Sequence, residues 1–213
     1  MIIAVDGPAA SGKGTLSKRL ARHLGYAHLD TGKIYRAVGQ QVLLSGGDPS
    51  DPIAATRAAR SLTPDALENP ALTTDTVAAA ASKVAAIDAV RAQLLTFQQD
   101  FAANPPNGLA GAVLDGRDIG TVVCPDAKIK LFVDANVEIR AERRYKELLD
   151  RGEEIIYSRV LQDLQDRDDR DKNRKVAPLR AAPEAFVLDT SVLNAEDAFR
   201  AALAFIESDH SDK

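Results

Sequence analysis

Tryptophan is absent from this chain of 213 residues, and cysteine and methionine occur once each. One thiol, Cys124, cannot build a disulfide framework, and neither it nor the three histidines offers the spacing that encloses a metal ion. A reducing cytoplasm is the expected setting. Long apolar runs are also missing: Met1–Val5 is too short for a signal or membrane segment and lacks a basic leader, and no later stretch approaches membrane length. Nor is there an excess of positive charge. With 27 basic and 31 acidic residues the net charge is -4 and the isoelectric point lies near 5.4, which argues against a protein that coats nucleic acid. Basic residues gathered in one cleft around a small anion stay compatible. Repeats and low-complexity tracts are absent too; alanine-rich Val77–Ala86 is ordinary helix composition.

What is present is the makeup of one globular unit, 45% hydrophobic and 27% charged. Short runs of β-type residues at Met1–Asp6, Ala27–Leu29, Leu109–Asp115, Lys128–Val133 and Ala185–Leu188 read as strands. Between them Lys13–Leu24, Thr31–Ser45, Thr74–Ala103, Val137–Arg151, Ile156–Asp171 and Ala195–Glu207 have helical composition. Short, nearly all-apolar strands alternating with helices predict a doubly wound α/β fold around a five-stranded parallel sheet. Two interruptions, Gly46–Pro70 and Arg151–Glu154, are candidate mobile flaps. The Ser208–Lys213 tail has no periodicity and is expected to fray.

The first strand runs into Gly7-Pro8-Ala9-Ala10-Ser11-Gly12-Lys13-Gly14-Thr15, after which Leu16, Leu20 and Leu24 repeat at helical spacing before Gly25. Triphosphate binding needs small residues whose backbone N–H groups point at phosphate oxygens, a helix N-terminus behind them, and one lysine. A plain glycine-rich turn would not require the strand and helix that flank this one. Gly14 stands where a Ser or Thr usually follows the lysine, so the magnesium-side hydroxyl falls to Thr15. Asp115, closing an apolar strand, suits either an ordinary turn or a carboxylate that orients magnesium directly or through water.

Phosphoryl transfer between two anions needs cationic clamps and exclusion of water. Arg167-Asp168-Asp169-Arg170-Asp171-Lys172-Asn173-Arg174 would bring Arg167, Arg170, Asp171 and Arg174 onto or near one helical face. That face is either such a clamp or a solvated surface laced with i,i+4 pairs. Asp115-Gly116-Arg117-Asp118 lies where the third strand ends, at the edge where open α/β sheets bind ligands. Asp30-Thr31-Gly32-Lys33-Ile34-Tyr35-Arg36 opens a helix, and an N-cap alone would explain its first residues. Ser82 and Arg91, taken singly, read as helix surface. His23, His28 and His210 carry no assigned role, and Cys124 beside Pro125 reads as packing.

Together these segments resemble the nucleoside monophosphate kinases, and specifically the bacterial cytidylate kinases, from Ile2 to about Glu207. The carriers are Gly7–Thr15 with its extra glycine, Leu29–Gly32 followed by Tyr35-Arg36, Ala81–Ala85 with Arg91, Asp115–Val123 and Arg167–Pro178. The resemblance implies a single P-loop kinase domain with core segments 1–30, 104–150 and 175–207. An acceptor-binding region would cover about 31–103, and a lid with its arginine helix about 151–174. It also implies ATP with magnesium, CMP or dCMP as acceptor, and phosphoryl transfer between them. By this likeness Arg36, Arg117 and Arg174 hold the acceptor phosphate; Thr31, Arg91 and Asp118 face the base; Ser82, Arg167 and Asp171 approach the sugar; and Gly116 lines the site. Lys13, Arg117, Arg167, Arg170 and Arg174 would stabilise the transferring group.

An ionised Asp118 accepts from the amine of cytosine but meets a carbonyl in uracil, so cytosine is the expected base. Thr31 stands where the family often has serine, which keeps the hydroxyl. Leu62–Asp75 is too short for the antiparallel insert that many relatives carry, which bears on closure more than on base choice. The alternatives are a P-loop kinase for another small acceptor, such as UMP or a hydroxy acid, and a nucleotide-binding switch. The switch lacks support, because neither an Asn-Lys-x-Asp nor an Asp-x-x-Gly motif is found. Exposed charge throughout suits a monomer with no nucleic-acid or membrane partner.

Overall fold

The structure is a computed structural model that describes residues 1–211, without the side chains of Pro64, Glu68 and residues 209–211. Five strands, β1 (Ile2–Asp6), β2 (Ala27–Asp30), β3 (Ala112–Gly116), β4 (Ile129–Asp134) and β5 (Phe186–Asp189), form one parallel sheet in the order β2-β3-β1-β4-β5. Alternation along each strand sends side chains to both faces. Ile3, Val5, Val113, Leu131 and Val133 pack against α1 (Lys13–Leu24) and α8 (Ala195–Ser211). Ala4, Leu29, Ala112 and Leu114 meet a second layer made by α2 (Thr31–Leu44), α3 (Pro52–Arg60), α4 (Asp75–Val84) and α5 (Asp88–Ala103). Helices on both faces explain why the strands are nearly all apolar, and the expected doubly wound fold is observed.

Several boundaries differ from the sequence reading. β3 begins at Ala112 rather than Leu109, because Asn107 (φ 58) and Gly108 (φ 68) turn the chain first. The continuous helix expected over Thr74–Ala103 is two helices, α4 and α5, with Ile87 extended between them. No breaker residue marks this site. Instead α4 is pressed onto α2, where Gly39 lies so close to Ala80 that a Cβ there would sit 3.0 Å from its carbonyl carbon. α5 must turn away to cover β3, so packing overrides alanine-rich propensity.

The Gly46–Pro70 stretch is not simply a flap. Asp51 caps α3 by accepting from the Ile53 N–H at 2.9 Å, Pro52 opens it, and Ala55, Ala58 and Ala59 are buried. Two 3₁₀ turns, Pro64–Glu68 and Pro70–Thr73, then replace any antiparallel insert. Arg151–Glu154 joins α6 (Val137–Asp150) to α7 (Tyr157–Asn173), with Gly152 left-handed at φ 79. The tail expected to fray from Ser208 continues α8 to Ser211; Asp212 and Lys213 lie outside the described residues, as does the His210 side chain. Among the described residues no helix is long and apolar enough to cross a membrane.

Candidate active site

The carboxyl ends of β1 and β3 are neighbours, Asp6 pairing with Gly116 in register, so the loops that follow them share one crevice. The loop after β1 is shaped by where its carbonyls go. Lys13 Nζ donates to the Pro8 carbonyl at 3.2 Å, Arg140 Nη1 to that of Ala9 at 3.3 Å and Thr190 Oγ1 to that of Ser11 at 2.9 Å. With those carbonyls turned into the protein, no backbone N–H from Ala9 to Gly14 has a partner among the described residues. Gly7 allows the tight entry, since a Cβ there would lie 2.0 Å from the Val133 carbonyl oxygen. Ala10 takes a left-handed conformation, φ 59, which costs a residue with a Cβ roughly 1–2 kcal/mol and is typical of ligand loops.

Anion binding is what this loop lacks electrostatically. Burial and the nearby Arg117 pull the Lys13 ammonium down to about 7, a condition that an anionic ligand would reverse. The Ser11 hydroxyl is buried without a partner. Thr15 is exposed on the first turn of α1. Asp115 is buried and shares one carboxylate oxygen with His28 Nε2 at 2.7 Å, which gives His28 a contact that its sequence position did not suggest. Among the described residues no group of three or more His, Cys, Asp or Glu forms a metal cage. Cys124 is buried with its thiol pushed up to about 11 by burial, in keeping with packing.

At the end of β3 lies a small cavity of about 50 Å³, lined by Thr31, Ser82, Arg91, Gly116, Arg117, Asp118, Arg167, Asp171 and Arg174. Nine of the ten acceptor-side candidates therefore converge from five separate parts of the chain. The tenth, Arg36, lines a larger adjoining cavity of about 610 Å³ with Ala9, Ala10, Arg167 and Arg170, and donates to the Leu72 carbonyl at 3.1 Å. Ser82 and Arg91 are buried here, not on a helix surface. Asp30 does cap α2, accepting from the Lys33 N–H at 3.3 Å, while Thr31 donates to the Asp115 carbonyl at 2.8 Å. Gly116 is held to glycine by crowding, as a Cβ would lie 2.6 Å from the Thr31 hydroxyl.

Four arginines face two aspartates in the small cavity. Asp118 accepts from Arg91 Nη2 in a short contact and from Arg174 Nη2 at 3.2 Å. Arg117 Nε donates to Asp171 at 2.8 Å, and Arg170 Nε to the Ser82 hydroxyl at 3.3 Å. Burial and Arg117 hold Arg167 down to about 10, and its Nε is buried with no hydrogen-bond partner. Burial alone would raise the Asp171 carboxyl, yet Arg117 and Arg167 outweigh it and the net direction is down. The Arg167–Arg174 segment thus turns Arg167, Asp171 and Arg174 inward, and the solvated-face alternative applies to the Arg159–Asp163 pair one turn earlier.

Sequence reasoning missed the braces behind these groups. Arg140 and Asp168, 3% and 6% exposed, form a double hydrogen bond at 2.6 and 3.2 Å that ties α6 and α7 to the loop. Thr190 is buried between Ser11 and Arg143, which donates to its hydroxyl at 3.0 Å. A charged residue at helical spacing on a polar helix gives no sign that it points inward.

A family model described as cytidylate kinase matches residues 3–208. The cytidylate kinase of Paramagnetospirillum magneticum is 61% identical over 97% of this chain and 98% of its own length. That of Rhodospirillum rubrum is 58% identical over 95% of each. Among solved structures, an uncharacterised protein from Eubacterium ventriosum aligns over 99% of both chains with a TM-score of 0.53 at 13% identity, a likeness of fold alone. On the family match and these two relatives, the chain belongs to the cytidylate kinase family.

Proposed function

We propose that the protein transfers the γ-phosphoryl group of ATP to CMP and dCMP, giving ADP and CDP or dCDP. One observation carries this reading: an arginine-lined cavity with Asp118 in its wall shares Arg167 with the larger cavity that Ala9 and Ala10 of the loop line, and the loop's N–H groups are unpaired among the described residues. Those N–H groups and Lys13 would cradle the ATP phosphates. Magnesium, when bound with ATP, supplies Lewis-acid neutralisation of the phosphate oxygens. Thr15 and Asp115 are the residues to hold it, directly or through water. They fit, since Thr15 is exposed at the loop and one Asp115 oxygen has no partner among the described residues.

Asp118 and Arg91 offer an acceptor beside a donor. Cytosine presents an amine beside an unprotonated ring nitrogen, the complementary pair. Uracil presents a carbonyl beside an N–H and mismatches both, setting acceptor against acceptor and donor against donor. Thr31 completes the base side, Ser82, Arg167 and Asp171 approach the sugar, Arg36, Arg117 and Arg174 hold the acceptor phosphate, and Arg117, Arg167, Arg170 and Arg174 stabilise the transferring group with Lys13. No strong base is required, because the attacking phosphate is already an anion; alignment and charge stabilisation suffice. Residues 31–103 act as the acceptor-binding region and 151–174 as a lid with its arginine helix, both serving a core of 1–30, 104–150 and 175–207. The expected setting is a cytoplasmic monomer in pyrimidine metabolism.

ADP formation with ATP and magnesium, measured across CMP, dCMP, UMP and AMP for wild type and Asp118→Ala, tests the reading. Turnover with CMP well above UMP, and loss of that preference in the variant, is the expected result. ATP binding without any CMP-dependent turnover would overturn it and leave a P-loop protein with another acceptor.

A further inference from the structure

The phosphate loop and the base-facing turn are joined by one side chain that the mechanism above does not use. Asp6 ends β1, immediately precedes Gly7, and is only 4% exposed. Both carboxylate oxygens are engaged: Oδ1 accepts from the Ile119 N–H at 2.7 Å and Oδ2 from the Gly120 N–H at 2.8 Å. These two residues open a π-helical turn, Ile119–Val123, and Asp118 stands directly before it. The Asp118 carbonyl in turn accepts from the Val122 and Val123 N–H groups at 2.9 and 3.1 Å. Asp118 is therefore positioned from the turn that follows it, since β3 has already ended at Gly116.

The leading N–H groups of any helical turn need an outside acceptor. Asp118 does not cap this turn with its own side chain, which is committed to Arg91 and Arg174. Asp6 fills that role from the neighbouring strand, and neither N–H has another acceptor among the described residues. The turn has little room to shift: a Cβ on Gly120 would lie 3.1 Å from Lys130 Cδ and 3.5 Å from Asp6 Oδ2. Burial pushes the Asp6 carboxyl up to about 7 even against its two donors. An apolar residue would close β1 without that penalty, but only a carboxylate offers two acceptors at this spacing.

We propose that Asp6 is a positioning residue for base selection, holding Asp118 at a fixed place relative to the phosphate loop so that one carboxylate registers the acceptor base against the donor phosphates. The inference rests on the reading of Asp118 as the group that selects the base. Asp6→Asn keeps the shape and one acceptor but turns an NH₂ group toward a backbone N–H.

In steady-state assays the expected outcome for Asp6→Asn is a KM for CMP raised about tenfold, the worth of one charge-assisted hydrogen bond. The CMP-over-UMP preference should shrink while the KM for ATP changes less than about twofold. Equal increases in both KM values with base preference intact would overturn the proposal, since Asp6 would then merely support the strand. Asp118→Ala, run alongside, separates the two claims. If it retains the base preference, the Asp118 reading fails; if it loses the preference and Asp6→Asn does not, only the Asp6 inference fails. Should Asp6→Asn not fold, amide hydrogen exchange in the wild type decides. The Ile119 and Gly120 amides should exchange as slowly as those of the β1 and β3 ladder and slow further with CMP, whereas exchange at the rate of an exposed loop overturns the proposal.

Discussion

At Lys13 two demands oppose each other: the ammonium is wanted by the phosphates, but burial, and after it the neighbouring Arg117, draw it down to about 7. At pH 8 the free protein therefore holds this lysine mostly neutral, and nucleotide phosphates favour its charged form. The sign follows: ATP binding at pH 8 takes up a proton, to be measured by calorimetry in buffers of different ionisation enthalpy. Lys13→Met should abolish that uptake and lower turnover by on the order of 10²–10³. Gly7→Ala is a separate case, because its Cβ would meet the Val133 carbonyl at 2.0 Å; ATP affinity should be lost even though no contacting group is removed, as equilibrium binding would report. Gly7 and Lys13 were legible because phosphate binding needs particular residue types at fixed local spacing. Asp6 was not, since its two partners lie 113 and 114 positions away and nothing nearby distinguishes it from a strand-ending turn residue.

Helices α6 and α7 behave as one element because the Arg140–Asp168 pair is buried between them and also reaches the Ala9 carbonyl. Arg140→Met would leave Asp168 an uncompensated buried charge, a loss of about 3–5 kcal/mol. Denaturant unfolding should register that loss, and the double variant Arg140→Met with Asp168→Leu should recover part of it. The same hairpin touches the start of α4 through Arg144 to Asp75 and through Arg151 to the Thr73 carbonyl at 3.0 Å. At this scale the alternation of apolar runs with helical periods was readable. The break between α4 and α5, the helix α3 inside a Gly- and Pro-rich stretch, and the π turn after Asp118 were not, since each is imposed by packing against distant elements.

For the molecule as a whole, a net charge of -4 and an arginine-lined cleft predict opposite behaviour toward an anionic nucleotide. If the local field governs, the association rate of CMP falls severalfold as salt rises from about 0.01 M to 0.15 M, where screening lengths shrink from about 30 Å to about 8 Å. A rate that rises with salt would mean that overall charge governs; stopped-flow mixing distinguishes the two. Arg91 and Arg174 both donate to the Asp118 carboxylate, so a base that binds there has to displace or share those contacts, and hydrogen exchange in α7 should slow when CMP is added. The parallel α/β class was legible in the sequence, whereas the strand order was not, because strand pairing joins distant segments that local patterns do not identify.

That order also sets the schedule on which the protein can become active. β1 comes first in the chain, yet its partners are Ala112 to Gly116 on one side and Ile129 to Phe132 on the other. Such non-local pairing must wait for loop closure and is intrinsically slow. The phosphate loop hangs from β1, so its shape exists only once β4 has been added, since the Gly7 entry packs on Val133. A nascent or refolding chain should therefore gain nucleotide binding in one late, cooperative step. ATP, by binding only that completed state, would act as a trap that draws the chain out of its partly folded forms.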